Sequence, residues 1–150
     1  LEPDTIMIYN NKVYVLDAKY YRYGVTGNPV DLPESSAINK QITYGEYIAN
    51  ERRFAALHGE NFPVYNAFLM PFNKNNNLFG LTKQCGRIGE ATGDWKTEGN
   101  TYERVQGIVV DIRYLMWHYT GNTEPQINEL VEAIESAFKE NETLPDAVDV

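Results

Sequence analysis

Asp4, Asp17 and Lys19 are the residues whose types and spacing first suggest chemistry. They sit in "PDTIMIYNNKVYVLDAKYY", residues 3–21, where two short apolar runs are joined by Asn10-Asn11. Two carboxylates brought together repel, and a divalent cation offsets that repulsion; hard carboxylate oxygens suit Mg²⁺. A lysine beside such a pair would reach whatever group the metal holds. The plainer alternative is that these are ordinary solvated acids at strand ends.

The elements that would position them decide between the two readings. Thr5 to Tyr9 and Val13 to Leu16 are short and rich in β-formers. Asn tolerates the positive φ of a tight hairpin turn, so Asn10-Asn11 predicts a two-residue connection. The register follows: Tyr9 pairs with Lys12, Ile8 with Val13, Ile6 with Val15, and Asp4 falls opposite Asp17. Alternation then puts Asp4, Ile6, Ile8, Val13, Val15, Asp17 and Lys19 on one face, apolar in its middle and ionic at one end. Like charges placed directly opposite are destabilising, which favours a cation between them.

A second polar group lies on a predicted helix over residues 34–57, started by Pro33 and ended by His58-Gly59. Ile38, Ile42 and Ile48 give its apolar stripe. Gln41 and Tyr44, three apart, are surface neighbours beside that stripe. They either face a substrate or satisfy nearby backbone. Between hairpin and helix, a loop from about Tyr20 to Pro33 carries Tyr20, Tyr21, Arg22 and Tyr23. Aromatics interleaved with a base can stack on nucleobases and touch phosphate, or simply pack the loop.

Further along, Val64 to Phe72 predicts a buried strand and Asn73 to Asn77 a turn. Leu78 to Thr92 suits one or two strands bent at Gly86 and Gly89. "GRIGEATG" matches neither established phosphate-loop pattern and is read as a turn. Arg104 to Val110 predicts a strand, Asp111 to Tyr119 a helical segment with Trp117 in the core. Glu124 opens an amphipathic helix with Ile127, Leu130, Val131, Ile134 and Phe138 on its apolar side. From Asn141 the chain reads as a flexible acidic tail, so the expected organisation is one domain over 1–140 plus a tail over 141–150. This order predicts a mixed α/β domain with helices flanking the sheet.

Composition bounds the function. The formal net charge of −8 argues against a coat protein that grips nucleic acid through many Lys–phosphate contacts. Residues 124–149 hold eight acids and one base, so the remainder is nearly balanced. A single cysteine, Cys85, excludes an intrachain disulfide or a Cys-based zinc cluster and suits a reducing cytoplasm. His58 and His118 are far apart and form no HExxH pair. No apolar run is long enough to span a bilayer. The opening at Leu1, with Asp4 already at a strand, suggests the C-terminal part of a longer chain.

Pro3-Asp4 followed by Asp17-Ala18-Lys19 resembles the PD-(D/E)xK motif of restriction-endonuclease-like nucleases. Gln41 and Tyr44 resemble that superfamily's helix polar pair, although RecB-like members space it Gln-x-x-x-Tyr. The run "DAKYY…SSAINKQITYGEYI" is similar, more narrowly, to LlaJI-type restriction endonuclease subunits and to the nuclease subunit of McrBC systems. The resemblance covers about Pro3 to Met70. It implies a restriction-endonuclease-like mixed sheet flanked by helices, with the family's first helix lying before Leu1. It implies Asp4, Asp17 and the Ala18 carbonyl as metal ligands, Lys19 as catalytic lysine and Gln41 in support of the site. Tyr44, Lys40 and Arg22 become candidate DNA contacts. The implied activity is Mg²⁺-dependent endonucleolytic cleavage of double-stranded DNA, of type II or McrBC-like character, with Mn²⁺ able to substitute. The implied partners are an NTP-driven motor subunit and a second copy in a homodimer. Two other functions stay open: a non-catalytic module of the same fold that binds DNA or a protein, and a metal-dependent hydrolase of small phosphodiesters.

Overall fold

The first two strands, β1 (Thr5–Tyr9) and β2 (Lys12–Asp17), form an antiparallel hairpin. In this computed structural model, which describes residues 5–18, 21–51, 62–73, 75, 78–93, 99–111 and 124–143, the turn residues Asn10 and Asn11 have φ of 50° and 61°. Both lie in the left-handed region, the conformation whose twist matches a two-residue hairpin. The ladder runs Tyr9–Lys12, Ile8–Val13, Met7–Tyr14, Ile6–Val15 and Thr5–Leu16, the register the turn predicts. Asp4 lies outside the described residues.

A short helix α1 (Tyr23–Thr26) and a 3-10 turn (Pro29–Asp31) follow, then α2 (Ser35–Ala49), β3 (Val64–Phe72), β4 (Cys85–Thr92), a second 3-10 turn (Thr101–Glu103), β5 (Arg104–Asp111) and α3 (Glu124–Thr143). The sheet order is β1-β2-β3-β5-β4. β2, β3 and β5 run parallel in the centre, with β1 and β4 antiparallel at the edges. The β2–α2–β3 segment is thus a parallel βαβ unit.

β2 is buried on both faces, as parallel strands under helices are. Val13 and Val15 meet Tyr44 and Ile48 of α2, with Val64 of β3. Tyr14 and Leu16 point the other way, into a cluster with Tyr65, Ala67, Ile108, Val131 and Ile134. That second cluster includes the predicted apolar side of α3: Ile127, Leu130 and Phe138 are partly buried against it.

Four local expectations need correction. The helix expected over 34–57 ends at Ala49, because both the backbone N–H and the side-chain amide of Asn50 bond the Glu46 carbonyl, capping it. Residues 52–61, including His58 and Gly59, lie outside the described residues. Leu78 to Gln84 is not a strand. "GRIGEAT" is not a turn but most of β4; an extra residue, Ile88, is accommodated as a bulge between Arg87 and Gly89. Residues 141–143 belong to α3 rather than to a tail. The expected helix after Asp111, with Trp117, falls on 112–123, outside the described residues, as does 144–150.

Candidate functional site

Asp17 ends β2, the strand with the most complete burial in the hairpin. Strand alternation puts it on the same side as Val13 and Val15, the side covered by α2. Its side chain is 6% exposed, an uncommon depth for a carboxylate. Its Cα partner on β3 is Phe68. Ala18 leaves the strand and is exposed. Because β2 stops at Asp17, alternation does not fix the direction of Lys19, which lies outside the described residues. Asp4 is outside them too. Among the described residues, no three His, Cys, Asp or Glu side chains form a group that could hold a metal ion.

Gln41 is 3% exposed, and its Nε2 donates to the Val15 carbonyl at 3.0 Å, two residues before Asp17. The helix amide therefore acts on the backbone of the strand that carries the acid. Tyr44 is 7% exposed, packed with Val13, Val15 and Ile48. That burial places its ring in the core rather than on a DNA-facing surface. Lys40 is exposed, with Nζ 5.5 Å from the Tyr44 ring centroid. Arg22 is exposed at the edge of a cleft of about 410 Å³ that also includes Tyr21, Asp31, Glu34 and Ser36. Two acids share that cleft, so its field is not uniformly positive.

Sequence reasoning missed the residue that joins these parts. Asn66 of β3 is fully buried, and its Nδ2 donates to the Gln41 carbonyl at 3.0 Å and to the Tyr102 carbonyl at 2.8 Å. Asn66 is also the Cα partner of Val15. A side chain on Gly45 would put its Cβ 2.5 Å from Asn66 Nδ2, so only glycine lets α2 lie this close. The signal was present: a lone amide inside the apolar run "VYNAFLMPF" demands buried partners.

The family model for the LlaJI restriction endonuclease matches residues 1–85, more than half of the chain. The chain belongs to this family. The matched span holds β1 through β3, with α1 and α2 between β2 and β3. The five-stranded mixed sheet flanked by helices agrees with a restriction-endonuclease-like fold. Membership of the LlaJI family supports a nuclease of a restriction system, with DNA as substrate. No curated protein and no solved structure matches the chain. No helix among the described residues is long and apolar enough to cross a membrane.

Proposed function

We propose that the chain is the Mg²⁺-dependent endonuclease part of a restriction system, cutting double-stranded DNA with a PD-(D/E)xK site built on the β1–β2 hairpin. The observation that carries this is Asp17, a carboxylate buried at the end of β2 beneath α2, within the span matched by the family. The ladder from Tyr9–Lys12 to Thr5–Leu16 supports the reading that Asp4 and Asp17 form the next pair. Two carboxylates and the Ala18 carbonyl are hard oxygen donors and fit Mg²⁺, or Mn²⁺ in its place. These three residues would hold the ion.

When bound, the ion supplies positive charge at the scissile phosphodiester and lowers the pKa of water nearby. The protein's own part is positioning and charge. Asp17 enters with its strand fixed, because Gln41 holds the Val15 carbonyl and α2 covers Val13 and Val15. Gln41 is then a positioning residue. Lys19 would stabilise negative charge that develops on the phosphate oxygens. Lys40 and Arg22, both exposed, would be the contacts to the DNA backbone. Tyr44 supports the site from the core.

The acidic balance supports a division of labour. At −8, with eight acids in 124–149, the chain has little surface suited to DNA. We assign DNA engagement to an NTP-driven motor subunit, with cleavage in this chain. The same acidity favours a second reading, a non-catalytic interaction module.

One experiment separates the two. The full-length protein is incubated with plasmid, with and without Mg²⁺ and the motor subunit, beside Asp17→Ala. Calorimetry with Mn²⁺ accompanies it. A nuclease cuts only with Mg²⁺ and loses both cutting and Mn²⁺ heat in Asp17→Ala. An interaction module shows neither in the wild type.

A further inference from the structure

We propose that Asn66 is a positioning residue for the β2 site, holding α2 so that Gln41 fixes the strand leading into Asp17; this rests on the metal reading of Asp17. The inference comes from one buried junction. Asn66 sits on β3 between Val15 of β2 and Val105 of β5, its Cα partners on either side. Its Nδ2 gives two hydrogen bonds, one to the Gln41 carbonyl in the middle of α2 and one to the Tyr102 carbonyl in the turn before β5.

The orientation of this amide is fixed by chemistry. Both contacts are carbonyl oxygens, which only accept, so the NH₂ must face them. The consequence is that Oδ1 is buried and accepts no hydrogen bond among the described residues. A buried polar atom left in that state is costly. Asn66 is therefore not an easy filler for this site; an apolar side chain would avoid the cost. What the amide provides is a tie between three elements at one point.

That tie reaches the acid through two bonds in series. Asn66 holds the backbone of Gln41, and the side chain of the same Gln41 holds the Val15 carbonyl at 3.0 Å. Val15 and Asp17 share one face of one strand. Gly45 completes the arrangement, since any Cβ there would strike Asn66 Nδ2 at 2.5 Å and the Tyr102 Cβ at 2.7 Å. Asn66 touches no reacting atom and acts only through Gln41.

Two substitutions open the junction by different means. Asn66→Asp keeps the shape and replaces a donor with an acceptor that faces two carbonyls. Gly45→Ala leaves Asn66 intact and wedges α2 away from it, which also covers the case in which Asn66→Asp does not fold. The full-length protein is used for both. The first readout is amide exchange, and the expected result is faster exchange in β2 with α3 unchanged, since a local opening spares distant elements. The second is Mn²⁺ titration, where affinity should fall by about tenfold, the usual scale for groups that orient a ligand without being one. In cleavage, kcat should fall with KM for DNA unchanged.

A merely structural Asn66 gives a lower melting temperature with exchange raised in β2 and α3 alike and Mn²⁺ affinity unchanged in the folded protein; that result overturns the proposal. Unchanged β2 exchange in Gly45→Ala overturns it as well. Failure of the metal reading looks different: wild type and Asp17→Ala would then show the same Mn²⁺ isotherm, and the proposal would fall with that reading even if β2 exchange responded.

Discussion

Lys12 Nζ and Glu135 Oε1 meet at 2.5 Å, joining the first residue of β2 to α3 across 123 positions of chain. Tyr14 adds a hydroxyl donated to the other carboxylate oxygen at 3.4 Å, and Tyr9 donates to Asn128 of the same helix at 2.7 Å. So α3 grips the hairpin from the face opposite α2. Glu135 is 7% exposed at its side chain, whereas Lys12 is 36% exposed. Removing the lysine strands a buried carboxylate. Lys12→Met should cost about 2 kcal/mol, below the roughly 3–5 kcal/mol of a fully buried pair because water reaches the lysine. Thermal melting checks this, with Tm lowered by about 6 °C for a domain of this size. Cleavage at temperatures where the variant is folded should be unaffected.

A second tie sets acid stability. Arg104 donates to both oxygens of Glu90, at 2.7 and 2.8 Å, and its guanidinium lies 4.4 Å from the Phe138 ring centroid. The hydrogen bonds from Arg104 hold the Glu90 carboxyl below its ordinary range. A lowered folded-state pKa gives stability that is present above the unfolded value and is lost as pH falls through the folded one. Glu90→Gln should therefore flatten the acid limb of a Tm-against-pH curve, leaving the neutral region less stable. A curve with the wild-type slope below pH 5 would show that Glu90 does not carry it.

Cys85 gives the complementary test at high pH. Burial, with Glu129 nearby, pushes its thiol up from 9.0 to about 12. A raised folded-state pKa gives stability that is full below 9.0 and lost as pH rises toward about 12. The thiol should also be inert to an aromatic disulfide reagent at pH 8 in the native protein and react promptly in denaturant. Fast native labelling would contradict the burial.

The hairpin was legible because its information is local. Asn10-Asn11 specifies φ, φ specifies a two-residue turn, and the turn specifies every pair down to Thr5–Leu16. β3 was read to the residue, since a nine-residue apolar run, seven of its residues buried, leaves no helical periodicity. The apolar stripe of α3 was read for the converse reason. What escaped was set by tertiary contact. β4 was anticipated within Leu78 to Thr92, but its start at Cys85 and its bulge at Ile88 are set by pairing with β5. The Asn66 junction needs three elements to meet, and no spacing along the chain announces that. Tyr44 looked like a surface partner of Gln41, yet packing with Val13, Val15 and Val64 of the sheet buries it.

The turn itself can be tested. At φ of 50° and 61°, most L-residues pay about 1–2 kcal/mol, and Asn pays less. Asn11→Val should destabilise by about 1 kcal/mol, while Asn11→Gly should hold or raise stability. Denaturant midpoints measure both. If Asn11→Val matched wild type, the turn would not be setting the register that brings Asp17 to its place.

Lys19 gives the sharpest prediction, because under the proposed function metal binding and catalysis part company there. A lysine is a cation and no ligand for one. Lys19→Ala should abolish DNA cleavage and leave Mn²⁺ binding in place. Removing a like charge near the ion should even tighten binding, with the sign given by Coulomb's law and the size by screening. Asp17→Ala should lose both functions. If Lys19 merely balances the acids as a structural ion pair, Lys19→Ala lowers Tm and leaves turnover of the folded protein intact. Melting temperature, Mn²⁺ affinity and plasmid cleavage on the same two variants of the full-length protein decide the matter. A Lys19→Ala protein that cuts at the wild-type rate would end the catalytic assignment of this residue.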